Sequence, residues 1–310
     1  MPQNRRHFLK TTATATAAGL LSSVAAMAAE ERAFPKAQKG YELLFMATDW
    51  GFKGSIGEFC AAAKKEGYEG IEVWWPATEK AQVMLFDALK RHELQVGFLC
   101  SGKEPSAQTH LGIFKNNIDA ALGNMYQKPL YINCHSGKDY FSYEDNKAFL
   151  DYTAKKSKET NIPVYHESHR GRMLYNVPAT RQFIEKNPDL RITLDISHWC
   201  VVHESLLTDQ KESIDLILQR VGHIHSRVGH AQGPQVSDPR APEWDKAVQA
   251  HLSWWDQVIA RKKQQGERMT ILTEFGPPDY MPTLPYTRQP LANQWAINVY
   301  MMNLLRKRYQ

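Results

Sequence analysis

The sequence predicts an α/β protein built as a single (β/α)8 barrel, on three observations. Eight short apolar runs follow one another between residues 41 and 275, and amphipathic stretches of helical length separate them. No glycine motif of a nucleotide-binding sheet follows any strand. With Thr48, Glu72, Cys100, His135, Glu167, Asp195, His225 and Glu274 as strand-end markers, successive steps are 24, 28, 35, 32, 28, 30 and 49 residues. A strand-helix unit needs about 30 residues, so only the last step holds an insertion, at 228–243. A doubly wound sheet is the alternative, and the missing G-x-G-x-x-G and G-x-x-x-x-G-K-[ST] motifs argue against it.

In order, the strands are expected at 41–48, 69–74, 94–100, 129–134, 162–167, 191–196, 222–226 and 269–275. Helical patterns fall at 55–67, 80–92, 142–159, 178–187 and 244–265, and a closing helix fits 291–307.

Ahead of the barrel, residues 1–28 read as a signal peptide. Asn4-Arg5-Arg6-His7-Phe8-Leu9-Lys10 resembles a twin-arginine export motif, with Asn4 where Ser or Thr is usual. An Ala/Thr-rich run follows from Thr11 to Val24, and Ala26-Met27-Ala28 supplies a small-x-small cleavage pattern. The run is short and interrupted by Gly19, Ser22 and Ser23, which argues against a membrane anchor. The twin-arginine resemblance implies the export machinery as a partner, the periplasm as destination, and a fold completed before export. Residues 29–40 are expected as a tether and 41–310 as the barrel domain.

The leader carries Arg5, Arg6 and Lys10 but no Asp or Glu, so the formal +5 of 310 residues becomes +2 over the other 282. Near-neutral charge gives no support for nucleic acid as a partner. With 43% hydrophobic and 11% aromatic residues, disorder is excluded for the bulk of the chain. A homo-oligomer stays open. Cys60, Cys100, Cys134 and Cys200 form no metal-binding spacing; they read as buried thiols, with a Cys100–Cys134 disulfide as the alternative.

In such a barrel the C-terminal strand ends face the active site. Those ends carry Glu72, His135, Glu167, Asp195, His225 and Glu274. Several carboxylates on one rim repel one another and lose hydration unless a cation compensates. Three carboxylates and an imidazole make an oxygen-rich site that suits Mn²⁺, Mg²⁺ or Co²⁺ and also holds Zn²⁺. His223 and His225 share a strand face, with His225 nearer the rim and His223 read as a core histidine. Glu72 shares a face with Trp74, whose flat surface suits a sugar ring; packing of Trp74 and Trp75 is the equal alternative.

Four phrases in order carry a family resemblance: Tyr165-His166-Glu167-Ser168-His169-Arg170-Gly171, Leu194-Asp195-Ile196-Ser197-His198, His223-Ile224-His225 and Thr273-Glu274-Phe275-Gly276. They resemble the sugar phosphate isomerase/epimerase superfamily, xylose-isomerase-like TIM barrels that also include ketose 3-epimerases and endonuclease IV relatives. The resemblance runs from about residue 41 to 305. It implies that the metal ligands are Glu167, Asp195, His225 and Glu274, and that His198 stands beside the substrate. His135 matches a further active-site histidine, a metal ligand in the endonuclease branch. The crowd of basic residues around Glu167, namely His166, His169, Arg170 and Arg172, departs from many epimerases.

The resemblance further implies a divalent-metal-dependent sugar isomerase or epimerase acting by proton abstraction through a metal-bound enediolate. Glu167 and Glu274 would be the acid/base pair, and His135, His198 and Arg227 would hold or polarise substrate hydroxyls. Without a glycine-rich phosphate loop, the expected substrate is a free sugar, keto-sugar or glycoside. One alternative is a metal-dependent lyase that expels the aglycone of a 3-keto-glycoside, with His169 as an additional base. Another is a non-catalytic periplasmic sugar-binding protein. A glycoside hydrolase using Glu167 and Glu274 directly would leave Asp195 and His225 without a role.

Outside the strand ends, Gly229-His230-Ala231-Gln232-Gly233-Pro234-Gln235 is expected as a lid or a plain loop, Trp254-Trp255 as packing, and Arg261-Lys262-Lys263 as a solvated helix end.

Overall fold

Strands buried on both faces cannot leave an edge unpaired, and eight parallel ones remove both edges by closing on themselves. The computed structural model, which describes residues 34–310, has this closure. The chain divides into a unit of residues 1–36 and a unit of residues 37–310, and the barrel lies in the second. The expected signal peptide at 1–28 and the first tether residues, 29–33, lie outside the described residues.

The strands are β1 (Glu42–Thr48), β2 (Gly70–Trp74), β3 (Gln95–Ser101), β4 (Ile132–His135), β5 (Val164–Glu167), β6 (Ile192–Leu194), β7 (Val221–His225) and β8 (Arg268–Thr273). They pair in sequence order, all parallel, and β8 returns to β1. The helices are α1 (Ile56–Glu66), α2 (Glu79–His92), α3 (Ala107–Gly123), α4 (Tyr143–Thr160), α5 (Val177–Lys186), the short α6 (Ser197–Val202), α7 (Lys211–Leu218), α8 (Asp245–Gln265) and α9 (Gln294–Tyr309). Their starts follow from local chemistry. Ser55 Oγ accepts from the Glu58 N–H at 3.3 Å while the Glu58 carboxylate accepts from the Ser55 N–H at 2.7 Å, a reciprocal cap on α1. Thr78, Ser106, Ser142, Asn176 and Asn293 cap α2 to α5 and α9 with one side-chain acceptor each.

All eight expected strands form. Helices α3, α7 and the six-residue α6 are absent from the sequence expectation. Gly112 and the Asn116-Asn117 pair dilute the helical propensity of α3, and α7 spans eight residues, too few for a clear period. Strands β6 and β8 each stop two residues earlier than expected, which frees Asp195 and Glu274 from the ladder.

Met46, Tyr131 and Leu272 fill the inside of the barrel, with Leu130 and Tyr165 packed against them. The tyrosines use space that glycine leaves: a Cβ at Gly97 would lie 2.4 Å from the Tyr131 ring, and one at Gly222 would lie 2.3 Å from the Tyr165 ring. The four cysteines are buried thiols, including Cys100 and Cys134, which sit opposite each other on β3 and β4. Trp254 and Trp255 are buried in α8, as expected of packing. Lys262 departs from the solvated helix end: it is 7% exposed, and its Nζ lies 2.5 Å from Glu267 Oε2. Among the described residues, no helix is long and apolar enough to cross a membrane.

The 228–243 segment is a loop braced against the barrel. Gln235 is buried and clamps the Gly276 backbone, accepting from its N–H at 2.7 Å and donating to its carbonyl at 3.2 Å, and the Val236 N–H bonds the Val228 carbonyl. Two substitutions test the packing by urea denaturation. Gly97→Ala should cost about 1–3 kcal/mol by driving a methyl into Tyr131. Gly112→Ala, on the exposed face of α3 with nothing within 4 Å of the new Cβ, should add about 0.5–1 kcal/mol. An unchanged Gly97→Ala midpoint would contradict the close approach.

Candidate active site

The pleat sorts the side chains of each strand. On β5, His166 points away from the barrel interior to α4, held by Ser136 Oγ at 2.7 Å and Thr153 Oγ1 at 2.9 Å, while Glu167 takes the opposite side. On β4, Asn133 and His135 share one face, and on β7 His223 and His225 do so. His223 Nδ1 lies 2.7 Å from Thr270 Oγ1, and its Nε2 lies 3.2 Å from Glu72 Oε2, a core histidine braced from both sides.

These choices converge on His225, which is fully buried. Its Nδ1 lies 2.9 Å from Glu274 Oε2 and 3.7 Å from Glu167 Oε2, while its Nε2 lies 3.1 Å from Glu72 Oε1. The Asn133 amide donates to Glu167 Oε2 at 2.9 Å and to Glu72 Oε1 at 3.3 Å, so one side chain ties two carboxylates together. His135 Nε2 reaches Glu167 Oε2 at 3.0 Å. Behind this group, Asp195 Oδ1 accepts from Ser197 Oγ at 2.5 Å and Oδ2 pairs with Arg227 Nη2. Arg227 also donates to His198 Nε2 at 2.9 Å, comes within 3.5 Å of Glu274 Oε2, and stacks at 4.7 Å from the Tyr280 ring centroid.

Early strand ends make this placement possible. The Asp195 N–H, released from the ladder, donates to Ser168 Oγ at 2.8 Å. Past β8, the Phe275 N–H donates to Asn298 Oδ1 at 2.8 Å, and Gln294 Nε2 donates to the Phe275 carbonyl at 2.8 Å, so α9 fixes the backbone beside Glu274.

A cavity of about 220 Å³ opens over the group. Of the residues singled out in the sequence, Glu72, Trp74, His135, Glu167, His169, Arg227 and Glu274 line it. Asp195, His198 and His225 are buried outside its lining. Trp74 is 49% exposed and meets His135 edge-on at 5.3 Å, whereas Trp75 packs on Phe98. His169 covers His198, their ring centroids 3.8 Å apart.

Sequence reasoning missed Asn133, Asp49, Trp50 and Tyr280. Asn133 precedes His135 by two and therefore shares its face, a signal that was readable. Asp49 and Trp50 directly follow the β1 marker. Tyr280 lies in the irregular segment after β8, where no periodicity points to it.

The electrostatics of the site are strained by burial. Burial disfavours a charged His225, but Glu274, Glu167 and Glu72 outweigh it and hold its pKa well above the ordinary value. Burial likewise acts to raise Glu167 and Glu72, and the neighbouring imidazoles overcome it. His135 and His225 keep Glu167 well below the usual carboxylate range, and His225 and His223 do the same for Glu72. Asp195 is pushed up to about 6 by burial, with Arg227 opposing and Glu274 adding to the rise.

Four carboxylates thus face two cationic side chains, Arg227 and His225, and the balance is short by a divalent charge. One donor atom each from Glu167, Asp195 and His225 lies within 4.8 Å of the others. Ligands about 2.1 Å from one ion span about 4.2 Å across it, so these residues fit a divalent cation with little movement. Glu274 stands beside the set through its bond to His225 Nδ1. Glu72 on Nε2 leaves Nδ1 as the ligand nitrogen.

The family of TAT (twin-arginine translocation) pathway signal sequences matches residues 2–22. Comparison with curated proteins gives no match. Among solved structures the chain resembles the 3-keto-D-glucoside 4-epimerase YcjR from E. coli, at 13% identity and TM-score 0.56 over 86% of this chain and 100% of that one. It also resembles the probable 3-DHS dehydratase AsbF, involved in petrobactin synthesis, from Bacillus anthracis, at 15% identity and TM-score 0.55 over 86% and 99%. A family 2 AP endonuclease from Brucella melitensis matches at 14% identity and TM-score 0.51 over 76% and 93%. Identities this low speak for fold alone. The chain therefore joins a twin-arginine signal sequence to a (β/α)8 TIM barrel of the xylose-isomerase-like kind, a fold whose neighbours here are enzymes.

Proposed function

We propose that this is an exported, divalent-metal-dependent sugar isomerase or epimerase working in the periplasm. The observation that carries the reading is the convergence of Glu167, Asp195 and His225 under a cavity lined by Glu167 and Glu274. A cation held there by Glu167, Asp195, His225 and Glu274 would supply Lewis acidity for negative charge developing on a substrate carbonyl oxygen.

The remaining work belongs to the chain. Glu167, kept ionised by His135 and His225, takes the proton next to the carbonyl. Glu274 reaches His225 Nδ1 alongside Glu167 and serves as the partner acid. Return of the proton to the opposite face of the same carbon gives epimerisation, and return to the neighbouring carbon gives aldose–ketose isomerisation. His135 is placed to polarise a substrate hydroxyl, Trp74 and Tyr280 offer apolar faces to a sugar ring, and Arg227 holds Asp195 in place. The substrate class is a free sugar, keto-sugar or glycoside.

A second reading has its own observation. His169 lines the cavity, and its Nδ1 lies 2.6 Å from the Arg170 carbonyl, which leaves the lone pair on Nε2, although burial and His135 push the imidazole down to about 3. With that extra base, loss of a substituent beside the abstracted carbon would make the enzyme a lyase of 3-keto-glycosides.

Three experiments bear on these readings. In deuterium oxide, wild-type protein incubated with ketoses and 3-keto-glycosides should incorporate deuterium next to the carbonyl, and Glu167→Gln should lose at least about 100-fold of that rate. Normal exchange in Glu167→Gln would sink the proton-transfer scheme, and a released aglycone in place of an isomer would select the lyase. Glu72→Gln should weaken divalent-metal affinity about 10- to 100-fold, read by chelator competition, because Glu72 orients the ligand imidazole. Export should fail when Arg5 and Arg6 both become Lys, with the chain retained in the cytoplasm on fractionation; undiminished export would exclude the twin-arginine route.

A further inference from the structure

Two arginines after β5 have no part in the site described so far. Past Glu167 the chain turns at His169-Arg170-Gly171-Arg172, closed by the Arg172 N–H on the His169 carbonyl at 3.1 Å, with Gly171 at φ 73°. A positive φ at the third residue suits glycine, and the turn it allows sets both arginines on one tight corner. The Arg170 guanidinium lies over the Tyr280 ring, 5.1 Å from its centroid, and Tyr280 lines the cavity. Arg227 lies against the same ring, but its charge is answered by Asp195. Among the described residues, no hydrogen bond or ion pair reaches the guanidinium of Arg170 or of Arg172. The Arg172 Nε is buried without a partner. Burial draws the Arg172 pKa down, and Glu167 leads the groups that oppose it, ahead of Asp139 and Tyr280. Lys138, on the loop after β4, adds a third cation, its pKa lowered by burial and by Arg172 beside it.

A divalent cation would balance the carboxylates of the cavity wall against Arg227 and His225, which leaves the Arg170–Arg172 corner as positive charge without an acid. A guanidinium presents its N–H donors in a planar fork that fits a carboxylate with two parallel bonds. Its place over Tyr280 holds the Arg170 fork beside the cavity wall. A neutral sugar would leave these donors unused. We propose that the substrate carries a carboxylate, as an acidic keto-sugar or a glycuronide does, and that Arg170 and Arg172 bind it. This rests on the sugar reading above and narrows it. Both arginines are then specificity-determining residues: they hold the acidic end of the sugar, and the reacting carbonyl is left to Glu167 and Glu274.

Purified full-length chain supplied with Mn²⁺ gives the test in deuterium oxide, with matched probes: fructuronate against fructose, tagaturonate against tagatose, and the phosphate monoesters of both ketoses. The acid of at least one pair should exchange with a kcat/KM at least about 10-fold above that of its neutral partner, as a charge-assisted pair implies. The Arg170→Gln, Arg172→Gln double variant should abolish that difference, chiefly through KM. Equal exchange of acid and neutral partner in the wild type, or a preference that survives in the double variant, overturns the inference and leaves the isomerase reading standing. Preference for the phosphates over the uronates overturns the carboxylate assignment. If no probe exchanges, the isomerase reading fails and isothermal titration calorimetry decides the inference. Tighter binding of uronate than of ketose, lost in the double variant, supports it; equal or absent binding overturns it. Should the double variant lose its near-ultraviolet circular dichroism, Arg170→Gln alone is read in the same way.

Discussion

Four carboxylates crowd the mouth of one barrel, three of them almost without water: Glu72 and Glu167 are 3% exposed and Asp195 is 0% exposed. A buried ion without a partner costs several kcal/mol, so the chain has to answer each of them. His225 is the pivot of that answer because it engages on both ring nitrogens, Glu72 on one side and Glu274 on the other. Asn133 ties Glu72 to Glu167, and Arg227 answers Asp195 and, at longer range, Glu274. Truncating any one of these partners would leave a buried charge behind and not merely remove a bond.

The backbone is subordinated to the same demand. A longer β6 would keep the Asp195 amide in the ladder; its early end lets Ser168 take that amide and lets α6 begin at Ser197, whose hydroxyl bonds the Asp195 carboxylate. After β8, three side-chain amides replace the ladder, from Gln235, Gln294 and Asn298. The insertion at 228–243 finds its use here. It delivers Gln235 to Gly276, two residues from Glu274, and so stiffens the site from outside without covering it.

The legible part of this architecture was set by period and position. Even spacing of apolar runs gave the barrel, and residues ending those runs gave the acids and imidazoles, because a closed parallel barrel admits one active face. Depth along a shared strand face further separated His223 from His225. Hydrogen bonds that join residues distant in sequence left no such trace. That Glu72 on β2 would brace His225 on β7, 153 positions away, depends on strand register across the barrel. That Arg227 would pair with Asp195 while lining the cavity depends on how two loops meet. Tyr280 reached the cavity from a segment whose sequence has no period to read.

The Asp195–Arg227 pair also bears on how a cation would be accommodated. Both Asp195 oxygens are already engaged, Oδ1 by Ser197 and Oδ2 by Arg227. A carboxylate oxygen has two acceptor positions, so a cation can share Asp195 without evicting either partner. Sharing has a cost, because the guanidinium and the ion would then repel each other across one carboxylate in a dry site. Glu167 and His225 face no such competitor, and His225 exchanges a proton for the ion. Asp195 is therefore the ligand whose hold depends most on its neighbour. The closeness of Arg227 sets how tightly the cradle can bind, and Ser197 and His198 fix that closeness.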